Sequence, residues 1–317
     1  MKFIIDTDIG DDIDDAFALD FALKKSFDLV CITTVFRNTV ERAQIVRKML
    51  SLFGKAVPVY AGYGNTICGN IPVNGRLCQW TDDLCNYTPD GIGPESAVDG
   101  IVNAARRYGK ELTVLAIGPL TNIARAIQKD PNAMKGISGI VMMGGDYRNH
   151  YAEWNIRCDV AAADVVFSSE VPIVAFGHEL TSLTKLTREQ QNYVMGMEQD
   201  DYHAYLAELS RLWAASKPEG WLMVMHDVLV VRYADNPEFC RIRTAPVAVE
   251  TQGKYTCGMT TDLSLMDYHP GDGRNIGIAT EVSIPDFLAD FMHGIGYSAF
   301  CRKLYETNRL QDCRLRR

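Results

Sequence analysis

Six aspartates lie among the ten residues from Asp6 to Asp15, in the run DTDIGDDIDD. The apolar residues 3–5 precede this run, and the apolar residues 16–19 follow it. At a separation of about 4 Å and an effective dielectric constant of about 20, each pair of like charges costs roughly 4 kcal/mol. A folded chain can hold such a cluster in water, with some carboxyls protonated, or around a cation. Because both flanking segments are apolar, we predict a metal site at the end of a buried strand.

An acidic run of this kind also occurs in EF-hands, at capped helix N-termini and in one class of phosphatase. An EF-hand needs a bidentate acid at the twelfth loop position, but counting from Asp6 places Phe17 there, so the EF-hand is excluded. Helix capping accounts for one or two aspartates but not for six. A haloacid dehalogenase-type phosphatase begins with a strand and DxDx(T/V), which residues 6–10 fit loosely. This Mg²⁺-dependent alternative stays open, although no convincing acidic pair follows residue 201.

The composition is that of an ordinary globular protein with ample length for a large core. The chain has 317 residues, 47% of them hydrophobic, and its formal net charge is -8, so we expect no nucleic acid as a partner. No apolar stretch approaches the length needed to cross a membrane. Nine scattered cysteines without a CxxC pair are not typical of a disulfide framework or a structural zinc site. We expect no signal peptide and a cytoplasmic protein with reduced thiols.

Short apolar strands alternate with helical patterns along the first half of the chain. The predicted strands cover residues 3–5, 29–35, 57–60, 112–117, 139–143 and 171–175. The predicted helices cover residues 15–24, 40–53, 97–108, 120–128 and 160–168. This alternation predicts an α/β fold, in which an open, mostly parallel sheet carries helices on both faces around a Rossmann-like core.

The remaining segments are less regular and include extra C-terminal strands and helices. Residues 62–94 are rich in Gly, Asn, Pro and Asp and predict a long functional loop. The later helical patterns cover residues 188–212, 221–233 and 284–304, the second with the alternative of a strand followed by a helix. Extra strands, which could pair in antiparallel fashion, are predicted at residues 244–251, 254–258 and 275–280. Without a linker or a repeat, residues 1–317 are predicted to form one domain.

Polar clusters follow several predicted strands, and open α/β sheets bind ligands outside the carboxyl ends of their strands. The clusters are the acidic run, Arg37-Asn38, Ile117-Gly118 and residues 144–155, with His226-Asp227 as a fifth inside an apolar run. Each has an ordinary structural role when taken alone, such as a turn for Asn38. Together, they could converge on one pocket from separate segments.

Five segments carry motifs that occur in the same order in one known family. They are DTDIGDDIDDAFAL, TTVFRN at residues 33–38, IGPLTNIA at 117–124, MGG at 143–145 with AEWN at 152–155, and MHD at 225–227. They resemble the motifs DxDPGxDDAxA(L/I), TTVxGN, GxLTN(I/L)A, MGG…AEFN and HD of the inosine–uridine-preferring nucleoside hydrolases. The resemblance covers residues 2 to about 237, and five ordered motifs are far more specific than one.

The resemblance implies an enzyme that hydrolyses the N-glycosidic bond of ribonucleosides and holds one Ca²⁺ ion. It implies that Asp8 is the general base, and that His226 lies near the nucleobase and can protonate it as it leaves. The calcium ligands are then Asp8, Asp15, Asp227 and the backbone carbonyl of Ile117. The candidate substrate-binding residues are Asp14, Asn38, Asn149, Glu153 and Asn155. A small nucleoside is the expected partner, and the family suggests a homodimer or homotetramer.

Two departures from the family pattern affect these assignments. Two extra residues separate Asp8 from the Asp-Asp-Ala triplet. Either the insertion lies at Asp11-Asp12 and Asp14-Asp15 keep their roles, or Asp12 takes one of those roles. The family also has a histidine-containing loop after its third strand, whereas residues 62–94 contain no histidine. Base recognition is therefore expected to differ there.

Aromatic side chains can stack on a nucleobase, although core packing is their commoner role. The candidates are Tyr151, Trp154, Trp213, Trp221 and Tyr233. Trp154 stands where the family has phenylalanine, so we expect it to pack beneath Glu153 and Asn155.

Cleavage of an N-glycosidic bond passes through an oxocarbenium-like transition state, which nearby carboxylates stabilise. A bound cation acidifies the attacking water, and a neighbouring aspartate removes its proton. The leaving base needs a proton, and a histidine can titrate near pH 7. A non-catalytic, metal-stabilised binding protein of the same fold would be expected to lack Asp8 or a ligand, and the sequence retains them all.

Overall fold

The computed structural model describes residues 1–73, 75–267 and 273–297, within which ten strands form one sheet. The strands are β1 (Lys2–Thr7), β2 (Leu29–Thr34), β3 (Val59–Ala61), β4 (Gly91–Ile92), β5 (Leu112–Ala116), β6 (Gly139–Met143), β7 (Ile173–Phe176), β8 (Cys240–Val249), β9 (Thr260–Asp262) and β10 (Arg274–Val282). Their order is β4-β3-β2-β1-β5-β6-β7-β10-β8-β9. Neighbouring strands are parallel except in the pairs β10–β8 and β8–β9, which are antiparallel.

Helices pack on both faces of this sheet. They are α1 (Asp14–Lys24), α2 (Thr39–Phe53), α3 (Pro94–Tyr108), α4 (Thr121–Lys129), α5 (Pro131–Lys135), α6 (Trp154–Cys158), α7 (Val160–Ser168), α8 (His178–Thr181), α9 (Arg188–Met195), α10 (Asp201–Ser216), α11 (His226–Asp235) and α12 (Ile284–Gly294). Side chains alternate along a strand, so Phe3 and Ile5 join an apolar cluster with α1, α2 and α10, while Ile4 joins one with α3, α4 and α7. The predicted fold class is confirmed.

The predicted helical segment 188–212 is interrupted. Helix α9 ends at Met195, and α10 begins only at Asp201, after a turn that includes Gly196. Asp200 caps α10 by accepting a hydrogen bond of 2.8 Å from the backbone N–H of His203. The glycine and the cap therefore divide a pattern that looked continuous in sequence.

The strand predicted at residues 254–258 is wrong, because this segment forms the turn that joins β8 to β9. The backbone N–H of Gly258 donates to the carbonyl of Glu250 at 2.8 Å, and Gly258 has a φ of +89°. The strand that follows this turn and pairs with β8 is therefore β9, a few residues later. The closing helix ends at Gly294, before the predicted end at 304, and residues 298–304 lie outside the described residues.

The segment 221–233 is a short extended piece followed by a helix, one of the two predicted alternatives. Val224 forms an isolated antiparallel bridge with Lys185, and α11 begins two residues later. The predicted loop 62–94 carries the short strand β4 and one 3₁₀ turn. Among the helices that the structure describes, none is long and apolar enough to cross a membrane.

One buried carboxyl ties the carboxyl ends of the central strands together. Asp6 Oδ1 accepts hydrogen bonds from Thr33 Oγ1 at 2.5 Å and from Asn122 Nδ2 at 2.8 Å. Asn122 Nδ2 also donates to the carbonyl of Thr34. Because β1, β5, β6 and β7 are parallel, the segments that follow them emerge at this same edge of the sheet.

Candidate active site

The acidic run forms the loop between β1 and α1, and its shape depends on local contacts. Thr7 Oγ1 donates to Asp15 Oδ1 at 2.5 Å and accepts from the backbone N–H of Ile9 at 3.1 Å. Gly10 has a φ of +122°, and a Cβ there would come within 2.6 Å of Leu77. A glycine is therefore required at this position, where the long loop 62–94 packs over the acidic loop.

A fully buried arginine holds this loop from beneath. Arg42 on α2 donates to the carbonyls of Asp8, Ile9 and Phe36, and its Nη2 lies 2.8 Å from Asp11 Oδ2. It is 0% exposed, so these acceptors replace the water that a guanidinium needs. The sequence analysis missed Arg42, although its spacing of three residues from Ile45 places it on the buried face of α2.

Three buried carboxyls converge beside the loop. Asp14, Asp15 and Asp227 each offer an oxygen, and these oxygens all lie within 4.8 Å of one another. Burial raises the pKa of Asp14 to about 8, and the charge of Asp12 contributes to the rise. Burial, followed by the charges of neighbouring aspartates, raises the pKa values of Asp15 and Asp227 well above the usual range. A bound cation would therefore stabilise the ionised forms of these carboxyls.

Asp8 lies close enough to this cluster for their charges to interact. It lines the same cavity, and its negative charge raises the pKa values of Asp15 and Asp227. Burial raises the pKa of Asp8 to about 6, an effect that the nearby Arg42 opposes. Ile117 follows β5, lines the cavity, and donates its backbone N–H to the carbonyl of Asp6. The roles of Asp8 and Ile117 as ligands stay predictions.

The two extra aspartates have other partners. Asp11 pairs with Arg42, as described above, and Asp12 lies 3.8 Å from the Lys217 ammonium. Asp12 Oδ1 also accepts a hydrogen bond from the backbone N–H of Ile13. Of the two alternatives for the insertion, the geometry favours the one in which Asp14 and Asp15 enter the carboxylate cluster. It also adds Asp14, predicted to bind substrate, to the possible metal ligands.

These groups line a cavity of about 510 Å³. Its lining includes Asp8, Asp11, Asp12, Asp14, Asp15, Ile117, Met143, Tyr151, Glu153, Trp154, Asn155, His178, Lys217, Trp221, His226 and Asp227. Carboxylates and aromatic rings thus line one space that can hold a small polar molecule with a planar ring.

Glu153 and Asn155, which are predicted to bind substrate, both line the cavity. Glu153 caps α6: its carboxylate accepts the backbone N–H groups of Gly145, Asn155 and Ile156. Burial raises the pKa of Glu153 to about 7, although these hydrogen bonds oppose the rise. Asn155 Nδ2 donates to the carbonyl of Met143 at 3.2 Å. Both side chains are therefore fixed by contacts within the protein.

Two predicted substrate-binding residues do not line the cavity. Asn38 donates from Nδ2 to Glu41 Oε2 at 3.0 Å and to the carbonyl of Gly75 at 3.1 Å. Asn149 donates from Nδ2 to Asp146 Oδ2 at 3.1 Å, within a turn. The amide of Asn149 thus bonds within a local turn, and the amide of Asn38 joins the start of α2 to the distant Gly75. The predicted substrate contacts of both residues stay predictions.

His226 lines the cavity, but its environment differs from the expected one. Its Nδ1 lies 2.8 Å from Thr181 Oγ1. Burial of the ring, followed by repulsion from His178, lowers the pKa of His226 to about 3. This lowering disfavours the charged form of the ring. The predicted roles of His226, near the base and as its proton donor, stay predictions.

The aromatic candidates divide between the cavity and the core. Tyr151, Trp154 and Trp221 line the cavity and are exposed, Trp154 by 44%. Trp154 does not pack beneath its neighbours as expected; its ring meets Phe36 edge-on at 6.2 Å. Trp213 and Tyr233 pack in the apolar core.

His178 is a cavity residue that the sequence analysis missed. Its ring lies between Tyr151, at 4.7 Å, and His226, at 5.7 Å between ring centroids. The segment around it carries no recognisable motif. Its position two residues after the end of β7, at the ligand-binding edge of the sheet, was the available signal.

Known proteins share this architecture and the motifs that build it. The model of the family described as inosine-uridine preferring nucleoside hydrolase matches residues 3–289. A probable uridine nucleosidase 1 of Oryza sativa subsp. japonica is 29% identical over 308 residues, which cover 91% of this chain and 94% of that relative.

Two solved structures extend the comparison to the fold. A plant nucleoside hydrolase has a TM-score of 0.79 and 26% identity, and a purine-preferring ribonucleoside hydrolase from Gardnerella vaginalis has a TM-score of 0.76 and 27% identity. Each comparison covers 93% of this chain and 98% of the other. The chain therefore belongs to the inosine–uridine-preferring nucleoside hydrolase family, whose members cleave the N-glycosidic bond of ribonucleosides.

Proposed function

We propose that this protein is a calcium-dependent ribonucleoside hydrolase in which Asp8 is the general base. The observation that carries the proposal is the buried group of Asp14, Asp15 and Asp227, which opens into the same cavity as Asp8. Hydrolysis of the N-glycosidic bond follows from the family; the ion and the residue roles are the proposal.

The donor set fits a hard divalent cation. The three side chains offer only oxygen atoms, which Ca²⁺ and Mg²⁺ prefer over nitrogen and sulfur ligands. Burial first, and the charges of neighbouring aspartates second, raise the pKa values of these carboxyls, and a double positive charge would stabilise their ionised forms. Ca²⁺ accepts six to eight ligands in flexible geometry, so the Asp8 carboxylate and the Ile117 carbonyl could complete the set.

The residues of the cavity then have separate roles in the reaction. A divalent ion bound by the cluster supplies Lewis acidity, which makes water easier to deprotonate. Asp8, with a pKa of about 6, is ionised at neutral pH and takes the proton of the attacking water. Glu153 and Asn155, fixed by α6, hold the ribose hydroxyls. The surrounding carboxylates stabilise the positive charge that develops on the sugar ring.

The rival phosphatase chemistry has no support in the geometry. Asp6, one of its two possible nucleophiles, is fully buried in β1 and bonded to Thr33 and Asn122. A nucleophile has to reach its substrate, and Asp6 does not line the cavity. The other possible nucleophile, Asp8, does line the cavity. The chain, however, belongs to a family of enzymes that cleave glycosidic bonds.

The substrate range, location and assembly are further parts of the proposal. The relatives named above include a uridine nucleosidase and a purine-preferring hydrolase, so we propose that both purine and pyrimidine ribonucleosides are substrates, in nucleoside salvage. The described cysteines are all free, which supports a cytoplasmic location. Exposed apolar side chains such as Ile92 and Leu183 support a homodimer or homotetramer, and the single sheet supports one domain over residues 1–317.

Product analysis tests this proposal directly. The protein is incubated with inosine, uridine and p-nitrophenyl phosphate, with calcium or with a chelator. We expect ribose and free base from both nucleosides, loss of activity with the chelator, and recovery when calcium is restored. Phosphate release from the third substrate without ribose release from the first two would overturn the proposal.

A further inference from the structure

The cavity contains a second imidazole to which neither the motifs nor the proposed roles assign work. His178 begins α8 and its side chain is 37% exposed. Its ring is nearly parallel to that of His226, with an interplanar angle of 21°. Its other neighbour in the cavity is the exposed Tyr151. His178 is thus a partly exposed imidazole that lies beside His226 and Tyr151 in the cavity.

A buried carboxylate lies behind this ring. Asp146 is 1% exposed, and its Oδ2 lies 3.7 Å from His178 Nδ1. Asp146 Oδ1 accepts the backbone N–H groups of Arg148 and Asn149, and its own N–H donates to Thr260 Oγ1 at 3.0 Å. The carboxylate therefore has a fixed place. Hydrogen bonds that orient catalytic side chains are often longer without substrate and shorten when it binds.

His178 is itself held by its backbone. Its N–H donates to the carbonyl of Gly145 at 2.8 Å, which joins the start of α8 to the segment after β6. Asp146 is the next residue in that segment. The backbone bond therefore holds His178 beside Asp146. Because Nδ1 approaches the carboxylate, Nε2 is the nitrogen available to a ligand.

We propose that His178 contacts the leaving nucleobase through Nε2 and donates to it the proton that the departing base requires. The inference rests on the proposed function and adds a catalytic residue to it. Asp146 acts as a positioning residue that orients the ring through Nδ1. The Nδ1 of His226 is engaged by Thr181, and its ring stacks on that of His178 at 5.7 Å between centroids.

The step balances in protons and electrons. The bond between C1′ and the base nitrogen breaks, and its electron pair leaves with the base. The proton on His178 Nε2 passes to a nitrogen or oxygen of the base. A bond forms between water oxygen and C1′, and the water proton passes to Asp8. Proton exchange with solvent then restores both side chains.

Leaving groups that differ in their need for a proton test this inference. The wild-type protein, His178→Gln and the control His293→Gln, at an exposed position on α12, are assayed with calcium on inosine, uridine and p-nitrophenyl β-D-riboside. The p-nitrophenolate ion leaves without protonation. Loss of a general acid should lower kcat/KM on the two nucleosides by about 100-fold or more while leaving the riboside nearly unchanged. The control should match the wild-type protein on all three substrates.

Two results would overturn the inference. One is wild-type activity of His178→Gln on both nucleosides, and the other is an equal loss on all three substrates, which a structural role would produce. Wild-type protein inactive on every substrate would instead refute the proposed function. As a second measurement, imidazole added to His178→Ala should restore nucleoside hydrolysis, and absence of any restoration by imidazole, in a variant that folds, would also count against the inference.

Discussion

Two groups of side chains that line the cavity are held in different ways. The acidic group, Asp8, Asp14, Asp15 and Asp227, lies at the ends of a central strand and of two helices. In the aromatic group, Tyr151, Trp154 and Trp221 are 40%, 44% and 57% exposed. The carboxyls proposed for the chemistry are thus buried, whereas the rings available to a base are open to solvent. We therefore expect that base preference can change without disturbing the acidic group.

The largest effect should come from the general base. Asp8→Asn removes the proton acceptor and should lower kcat by about 10³-fold on either nucleoside, within the range for loss of a general base. Asp12→Asn, in the same loop but paired with Lys217, is the matched control and should retain most activity. Steady-state kinetics on inosine and uridine measure both. A severe loss in Asp12→Asn with little loss in Asp8→Asn would reverse the assignment of the insertion.

Removal of calcium should make the stability of the protein depend on the protonation of the acidic group. Without the ion, burial raises the pKa of Asp14 from 3.8 in an unperturbed carboxyl to about 8. The folded state then binds more protons than the unfolded state across this window, so the free energy of unfolding falls as pH rises from about 4 to about 8. Melting temperatures of chelated protein should decline over this range. Calcium at about 100 times its Kd should add about 2.7 kcal/mol at neutral pH.

Asp227→Asn serves as the control for this experiment. It removes one charge from the cluster, so the chelated variant should lose less stability with rising pH than the chelated wild-type protein. It should also gain less from calcium. A chelated wild-type protein whose melting temperature rises steadily with pH would contradict the geometry of the cluster.

The support that Arg42 gives the acidic loop should contribute a similar amount to stability. Arg42→Met leaves three backbone carbonyls and Asp11 without their donor, so we expect a loss of about 3 kcal/mol in the free energy of unfolding. Arg47→Met, on the same helix and paired with Asp90 near the surface, should cost less than about 1 kcal/mol. Urea denaturation measures both variants. Equal losses would show that Arg42 is no more important than a surface ion pair.

The smallest effect is expected from the aromatic group of the cavity. Trp221→Ala removes an exposed ring from the cavity, and loss of stacking on a base should raise KM by about tenfold. Stability and the activity on p-nitrophenyl β-D-riboside should change little, because the ring has little core to support. Tyr255→Ala, at a position 85% exposed and outside the cavity, is the control. An unchanged KM for every nucleoside would exclude Trp221 from base recognition.

Particular residues show how far the sequence could be interpreted. Strand β6 and helix α7 have the predicted bounds, because apolar runs with clear ends determine their own length. The turn at Gly258 differs from the predicted strand, because the strand-prone Tyr255 and Thr256 precede the glycine. Asn38 and Asn149 are predicted to bind substrate, but their amides have partners within the protein, which for Asn38 include the distant Gly75. One sequence does not reveal such neighbours in space.

The alternating fold, the family and the acidic run at the end of the first strand can be inferred from the sequence alone, because hydrophobic period and ordered motifs are local properties of the chain. Which aspartates meet depends on the tertiary structure. It assigned Asp11 to Arg42 and Asp12 to Lys217, and it brought Asp227 from α11 to Asp14 and Asp15. It also placed His178 beside His226. Such pairings depend on how distant segments pack around one sheet edge, which spacing along the chain does not encode.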